Sequence, residues 1–470
     1  MSRVLRMLPV FLLLAVCPAG IRAQDMRADA SGTTTPRQLT LREALERALD
    51  ANPSLRAVEA QRSAAESRVW EARSGHLPQL SANAGYSWYQ EPNIVFPIHK
   101  AGVFPPLDDR VFESSVQATL PLFSGGKVVR RTDAARAGVR QAEARASLAR
   151  QDLLRRIAEL YLHAAELDDR RSLLGERLAD LRTRRAELEA LVGGGRASLA
   201  HLALIDAQTS GVRADSLQAE HAASELAWRL GQLTGISAPV HPRLDGDAVP
   251  APEQLPGPVT SDLTVTSDLP ATSDLPATSD LPATSDLPSV EENSEWQLAN
   301  AQKLQAEAEA SFASRAFFPD LSGFAAYQYR SGGSAWDPAG EWVAGLRLSL
   351  PLLDGGRSIA ALSTTSATLR AAEENLEAAA QRARADHAVA RSAHASALAR
   401  LRNIEQAVER RRIFVVAQRD LHAAGRLSLG ELETQETELL QLALQAKALK
   451  YEALRAIIAI AYAEGALDRE

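Results

Sequence analysis

Aromatic side chains make up only 5% of this chain, and its single cysteine is Cys17. So few aromatics, set against long tracts of Ala, Leu, Arg and Glu, describe long helices packed by small side chains rather than a thick globular core. Cys17 lies in an N-terminal stretch, residues 1–23, where Arg3 and Arg6 precede the apolar run Leu8 to Val16. This reads as an export signal peptide cleaved after Ala23, so the mature chain is extracytoplasmic and has no thiol, disulfide or Cys-ligated metal. Leu14-Ala15-Val16-Cys17 also has the form of a lipoprotein cleavage box, although Val16 is bulky where a small residue is expected and Pro18 follows. Beyond the signal, the best apolar run, Ala456 to Ala463, falls short of the ~18 residues that a membrane helix needs. If this protein spans a membrane, it does so with strands.

A basic patch is absent too. The net charge is −7, and −10 once Arg3, Arg6 and Arg22 leave with the signal. The remaining arginines alternate with Glu and Asp along helical faces, which excludes a nucleic-acid footprint. The chain contains no His-Glu-x-x-His, Gly-x-Ser-x-Gly or paired-Cys motif, and Gly125-Gly126-Lys127 lacks the spacing and following hydroxyl of a phosphate loop. His387 and His394 stand two helical turns apart without a third metal ligand. No catalytic, cofactor or metal site is expected.

What the chain does have is a duplication. Leu120-Pro121-Leu122-Phe123-Ser124-Gly125-Gly126-Lys127 returns 230 positions later as Leu350-Pro351-Leu352-Leu353-Asp354-Gly355-Gly356-Arg357. From there to Gly465 the halves align without a gap, sharing Arg140/Arg370, Glu143/Glu373, Gly195/Gly425, Arg196/Arg426, Ser198/Ser428, Leu199/Leu429, Leu202/Leu432 and Gly235/Gly465. Each copy ends an alternating run and begins a long run with helical periodicity, so each marks a strand-to-helix junction.

The expected organisation follows. Residues 24–38 form a loose leader, and the first repeat covers 39–235. It opens with a helix that Thr40 and Glu43 start as a capping box. After Asn52-Pro53 comes a second helix, ended by Gly75 and Pro78. Next is a β-hairpin over 79–122, with Leu80, Ala82, Ala84, Tyr86 and Trp88 on one face and Gln79, Ser81, Asn83, Gly85 and Ser87 on the other. A long helical hairpin over 127–234 turns at Gly193-Gly194-Gly195; its first arm carries a coiled-coil seam, from Leu153 to Leu188, interrupted by Arg171 and Arg185. Residues 236–295 form a Pro/Ser/Asp-rich linker in which Thr-Ser-Asp-Leu starts at Thr260, Thr266, Thr272, Thr278 and Thr284. Its prolines favour an extended insert over a β-solenoid. The second repeat, 296–465, has a helix, a β-hairpin over 320–352 and a helical hairpin over 357–464; residues 466–470 are a tail.

Four strands of about ten residues are long enough to cross a bilayer when tilted, but four cannot close, and unpaired edges in lipid demand further subunits. A dimer would give eight strands and a trimer twelve. Tyr86, Trp88, Tyr89, Phe112, Trp342 and Trp336 fall near the strand ends facing the two loops, where an aromatic girdle belongs. A periplasmic coiled-coil scaffold without a pore is the alternative, but it gives no reason for four strands with lipid-compatible faces.

Taken together, Leu39-Thr40-Leu41-Arg42-Glu43-Ala44-Leu45 with Asn52-Pro53, Leu77-Pro78-Gln79-Leu80, both copies of Leu-Pro-Leu-x-x-Gly-Gly and the Gly-Arg-x-Ser-Leu tips make the chain resemble the TolC-like outer membrane efflux protein family over residues 39–465. The resemblance implies a membrane α+β fold: a homotrimer whose twelve-stranded β-barrel sits in the outer membrane, continuous with a long periplasmic α-helical coiled-coil barrel. It implies a passive duct for efflux or type I secretion, docked to a periplasmic adaptor (membrane fusion) protein and an inner-membrane pump of RND or ABC type. Adaptor contacts carry over to the tips Gly195, Arg196, Ser198 and Leu199, and Gly425, Arg426, Ser428 and Leu429, with the leucines as exposed apolar contacts; the plain alternative is that these residues only make the turns. Glu431 and Asp206 are the candidate periplasmic gate, although Thr434 stands where a second acid is common, and a solvated carboxylate is the competing role. Pro121, Gly125 and Gly126, with Pro351, Gly355 and Gly356, are the strand-to-helix junctions at the membrane's inner surface.

Overall fold

The computed structural model describes residues 37–95, 102, 104, 107–243, 290–332 and 339–467. The signal, Cys17, the Thr-Ser-Asp-Leu repeats and Trp336 lie outside them. In order, the elements are β1 (Arg37–Leu39), α1 (Leu41–Ala51), α2 (Pro53–Ser74), β2 (Gln79–Ile94), β3 (Leu107–Phe123), α3 (Lys127–Gly193), α4 (Leu199–Leu233), β4 (Val240–Pro242), α5 (Ser294–Ala313), β5 (Asp320–Gly332), β6 (Ala339–Ser349), α6 (Arg357–Ala423) and α7 (Leu429–Ala463). No helix among the described residues is long and apolar enough to cross a membrane.

Capping chemistry sets the helix starts. Thr40 Oγ1 accepts from the Glu43 N–H while Glu43 returns a bond to the Thr40 N–H, so α1 begins at Leu41. Asn52 caps α2 by accepting from Ser54 and Leu55, and its Nδ2 donates to the Leu233 carbonyl at 3.0 Å. The second repeat does the same with Asn293, which accepts from Glu295 and Trp296 and donates to the Ala463 carbonyl at 2.9 Å. These buried asparagines each satisfy a helix start and a helix end together.

α3 and α6 are 67 residues each, about 100 Å at the standard helical rise, and α4 and α7 are 35 each. The two long hairpins, α3–α4 and α6–α7, meet where α3 packs on α7. There the main core gathers Leu153, Ile157, Tyr161, Leu162, Leu454, Ile457 and Ile458 with Leu41, Leu45, Leu230 and Val240. Two boundaries differ from expectation here. Arg37 and Gln38, assigned to the leader, pair in parallel with Val240 and His241, assigned to the linker, because Leu39 and Val240 are apolar enough to seal the edge of this core.

The four long strands make one antiparallel sheet in the order β2-β3-β5-β6. Gln79 faces Thr119, Thr119 faces Phe324, and Phe324 faces Gly345, so the two hairpins join through β3 and β5. At 16, 17, 13 and 11 residues the strands exceed the ten expected; the β2–β3 ladder continues past Trp88 through a bulge toward the loop, and β3 runs on to Phe123 against β5. β6 ends at Ser349, before Pro351, which has no N–H to donate to a ladder, whereas Pro121 does not end its strand: it lies inside β3 opposite Ser322, and pairing resumes at Phe123 after a register shift. One face of the sheet carries exposed Leu80, Trp88, Val116, Leu120, Tyr327, Trp342, Leu346 and Leu348. Among the described residues β2 and β6 each pair on one side only.

Candidate functional site

Each strand-to-helix junction depends on left-handed glycines: φ is +59° at Gly125, +80° at Gly126, +68° at Gly355 and +85° at Gly356. Gly125 is doubly constrained, since a Cβ there would lie 2.2 Å from Phe318 Cβ. Lys127 then reaches across to Asp320 at 2.6 Å, tying the start of α3 to the start of β5. In the second repeat Asp354 accepts from the Ser358 hydroxyl and from the N–H groups of Ser358 and Gly356, which holds its carboxyl below the usual range. The junctions thus share a backbone path but not a side-chain solution.

At the far end the tips share their turns. Gly195 (φ +69°) and Gly425 (φ +71°) allow Arg196 N–H to bond Leu191 O at 2.8 Å and Arg426 N–H to bond Leu421 O at 2.9 Å. Ser198 and Ser428 cap the returning helices. Arg196 and Arg426 are exposed. The two leucines are not equivalent: Leu199 is 71% exposed, whereas Leu429 is 6% exposed and packs with Leu181 and Ile205. The expectation that both are exposed contacts is therefore corrected for Leu429, which the neighbouring hairpin covers.

Glu431 completes a capping box with Ser428, accepting from its N–H at 3.1 Å and its hydroxyl at 2.7 Å; the Ser428 bonds hold the Glu431 carboxyl below its ordinary value. The sequence Ser428-Leu429-Gly430-Glu431 carries the same signal as Thr40 to Glu43. Asp206 pairs with Arg185 at 2.6 Å, and Arg185 also binds Glu189 at 2.6 Å. Both gate candidates are thus engaged within their own protomer.

Sequence reasoning passed over a charged cage that lies just above the tips. Arg177 and Arg184 of α3 each bridge Glu433 and Glu436 of α7, and Arg419 of α6 adds a bond to Glu436 at 2.8 Å. The Glu433 side chain is fully buried and that of Arg177 is 7% exposed. Burial would raise the Glu436 carboxyl, but hydrogen bonds from Arg184 and Arg419 outweigh it and hold it below its usual value. The available signal was spacing: Arg177 and Arg184 lie seven residues apart and Glu433 and Glu436 three apart, so each pair shares a helix face. Higher up, Lys447 and Tyr451 bind Asp169 at 3.0 and 3.2 Å, and Arg455 binds Glu166 at 2.7 Å, so polar ties join α3 to α7 well beyond the cage.

His387 binds Glu464 at 3.1 Å, and burial lowers the pKa of His394. Among the described residues no three His, Asp or Glu side chains gather as a metal site.

The family model described as outer membrane efflux protein matches residues 44–236 and 289–466. No curated protein sequence matches the chain. Among solved structures, VceC, an outer membrane protein of Vibrio cholerae, is 19% identical, with 91% of this chain and 96% of that one covered and a TM-score of 0.70. The CmeC outer membrane channel of Campylobacter jejuni is 15% identical over 94% and 92%, with a TM-score of 0.71. CusC is 18% identical over 93% and 96%, also at 0.71. With its duplicated strand-to-helix plan, membrane-compatible sheet and long hairpins, this chain belongs to the outer membrane efflux protein family, and it serves efflux as an outer membrane channel whose helices stand in the periplasm.

Proposed function

We propose that three copies of this chain close into a twelve-stranded barrel over a shared periplasmic helical barrel, and that the assembly is the passive exit duct of a tripartite efflux or type I secretion system. The observation that carries this reading is the four-stranded sheet, with an apolar outward face and one-sided edges at β2 and β6. In lipid each unpaired edge group carries a penalty of several kcal/mol, so β6 of one protomer pairs with β2 of the next. The chain itself performs no chemistry; an inner-membrane pump of RND or ABC type supplies the energy.

A periplasmic adaptor docks at the hairpin tips, where Arg196, Arg426 and Leu199 offer two charges and an apolar side chain. Glu431, held by Ser428, and Asp206, held by Arg185, line the approach to the periplasmic mouth. The two repeats, residues 39–235 and 296–465, supply equivalent walls of the duct and are joined by the linker.

Protein purified from outer membranes in detergent is expected to size as a trimer and to conduct in a planar bilayer. A water-soluble monomer without conductance would refute the duct and favour the poreless scaffold.

A further inference from the structure

The face of the sheet opposite the exposed apolar residues can be followed level by level through the strand register. Nearest the loops, Ser87, Val111 and Gly332 are cross-strand neighbours, then Gly85, Glu113 and Arg330, followed by Asn83, Ser115, Gln328 and Glu341. Two levels without charge come next, ending with Phe324 beside Gly345. The last levels before the helices hold Ser322 with Arg347, then Asp320 with Ser349.

Most charges on this face are neutralised locally. Glu113 pairs with Arg330 at 3.1 Å, and Asp320 with Lys127 at 2.6 Å. In the regularly paired part of the sheet, Glu341 and Arg347 are the two inward charges without an opposite charge in contact. Arg347 is held in place instead of paired: its guanidinium lies 5.2 Å from the Phe324 ring centroid. That ring occupies the space over Gly345, where a Cβ would come within 3.2 Å of it. A guanidinium on an aromatic face keeps its N–H fork free for carboxylate, sulfonate or phosphate groups.

Six residues of β6 separate the two charges, about 20 Å along the strand and about 15 Å along the axis of a tilted barrel. This is nearly twice the ~8 Å Debye length at physiological salt, so the levels act separately.

We propose that the β-barrel lumen is a two-level charge filter, in which three Arg347 side chains seated on Phe324 form an anion-holding ring at the periplasmic end and three Glu341 carboxylates a cation-favouring ring toward the exterior. The inference rests on the trimeric barrel proposed above. Anionic groups of a passing solute pause at the inner ring, and cations concentrate at the outer one.

Cys17 is the only native cysteine and lies in the expected signal, so single introduced thiols can report each level. Ser322→Cys sits beside Arg347 and Gln328→Cys beside Glu341. Each is reacted, in assembled trimers, with a sulfonate-bearing and an ammonium-bearing methanethiosulfonate, and the rate ratio is measured. A unit charge about 6 Å away in water changes the local concentration of each reagent roughly threefold in opposite directions, so the ratio changes about tenfold. The sulfonate reagent is expected to be favoured at position 322 and the ammonium reagent at 328. Arg347→Gln should remove the first preference and Arg347→Lys keep it, Glu341→Gln should remove the second, and Glu113→Gln with Arg330→Gln together should alter neither. Readily modified thiols whose ratios ignore Arg347→Gln and Glu341→Gln would overturn the filter while leaving the barrel intact. Thiols that neither reagent reaches in assembled trimers would instead overturn the barrel reading itself, and the filter with it.

Discussion

Replacing Glu433 with alanine is the most informative perturbation of the helical region. Its carboxylate accepts from Arg177 and Arg184 in a site where Glu433 is fully buried and Glu436 is 4% exposed. Removing one partner of a buried ion pair leaves an uncompensated charge and typically costs about 3–5 kcal/mol. The loss is local, so it should appear as opening of α3 against α7 near the tips. Hydrogen exchange of the backbone amides of residues 430–440 in detergent-solubilised trimer measures it, and protection should fall about a hundredfold or more. Replacing the set together, with Arg177→Met, Arg184→Met, Glu433→Leu and Glu436→Leu, should restore most of the protection, since a buried ion cluster and a well-packed apolar one of similar volume are often equally stable; Arg419, half-exposed, can return to water. The cage should also respond to acid. The Glu436 carboxyl is held below its ordinary value, so its contribution is complete above about pH 4.5, the range where the unfolded carboxyl is ionised, and is lost as pH falls through the lower folded value. Protection that changes less than about fivefold in Glu433→Ala would show that the cage is not what joins these helices.

The tips and junctions yield sharper contrasts. Leu199→Asp should leave trimer yield normal while abolishing adaptor capture in a pull-down, whereas Leu429→Ala should destabilise the second tip by about 2–4 kcal/mol, because that leucine is core. Gly125→Val should strongly reduce assembled trimer on gels, since its Cβ meets Phe318; Gly126→Ala, facing open space, should lose only the ~1–2 kcal/mol of a left-handed backbone. Asn293→Ala removes a helix cap and leaves the Ala463 carbonyl without its donor, and a loss of about 1–2 kcal/mol should appear in the denaturation midpoint.

The parts of the fold that repeat were the parts open to sequence reasoning. Alternation from Leu80 to Trp88 and helical spacing from Leu153 to Leu188 are local periodicities, and the recurrence of Leu-Pro-Leu-x-x-Gly-Gly placed the junctions. What escaped depends on contacts between distant segments. β1 and β4 are three residues each, too short for any period, and exist only because the core beneath them needs covering. Leu199 and Leu429 occupy equivalent positions in the duplicated sequence; their different burial arises from which hairpin lies next to each. The cage escaped for a related reason: Arg177 and Glu433 look like solvated charges on their own helices until α3 and α7 are brought together. Glu431 was singled out for its position past the tip, but the Ser428 capping box that engages it was written in the same four residues.

The paired asparagines have a consequence for the ancestry of the chain. Asn52 joins the start of α2 to the end of α4, and Asn293 joins the start of α5 to the end of α7, so the two repeats close on themselves through the same side-chain bond. Gly235 and Gly465 stand at the same clasps, each so near Ala51 or Glu292 that a side chain would collide. A unit that fastens its own ends can be copied in tandem without disturbing the original, and the span between two such units is free to lengthen. The Thr-Ser-Asp-Leu tract lies in that span, where successive six-residue insertions fall outside both clasps and leave the register of each repeat unchanged.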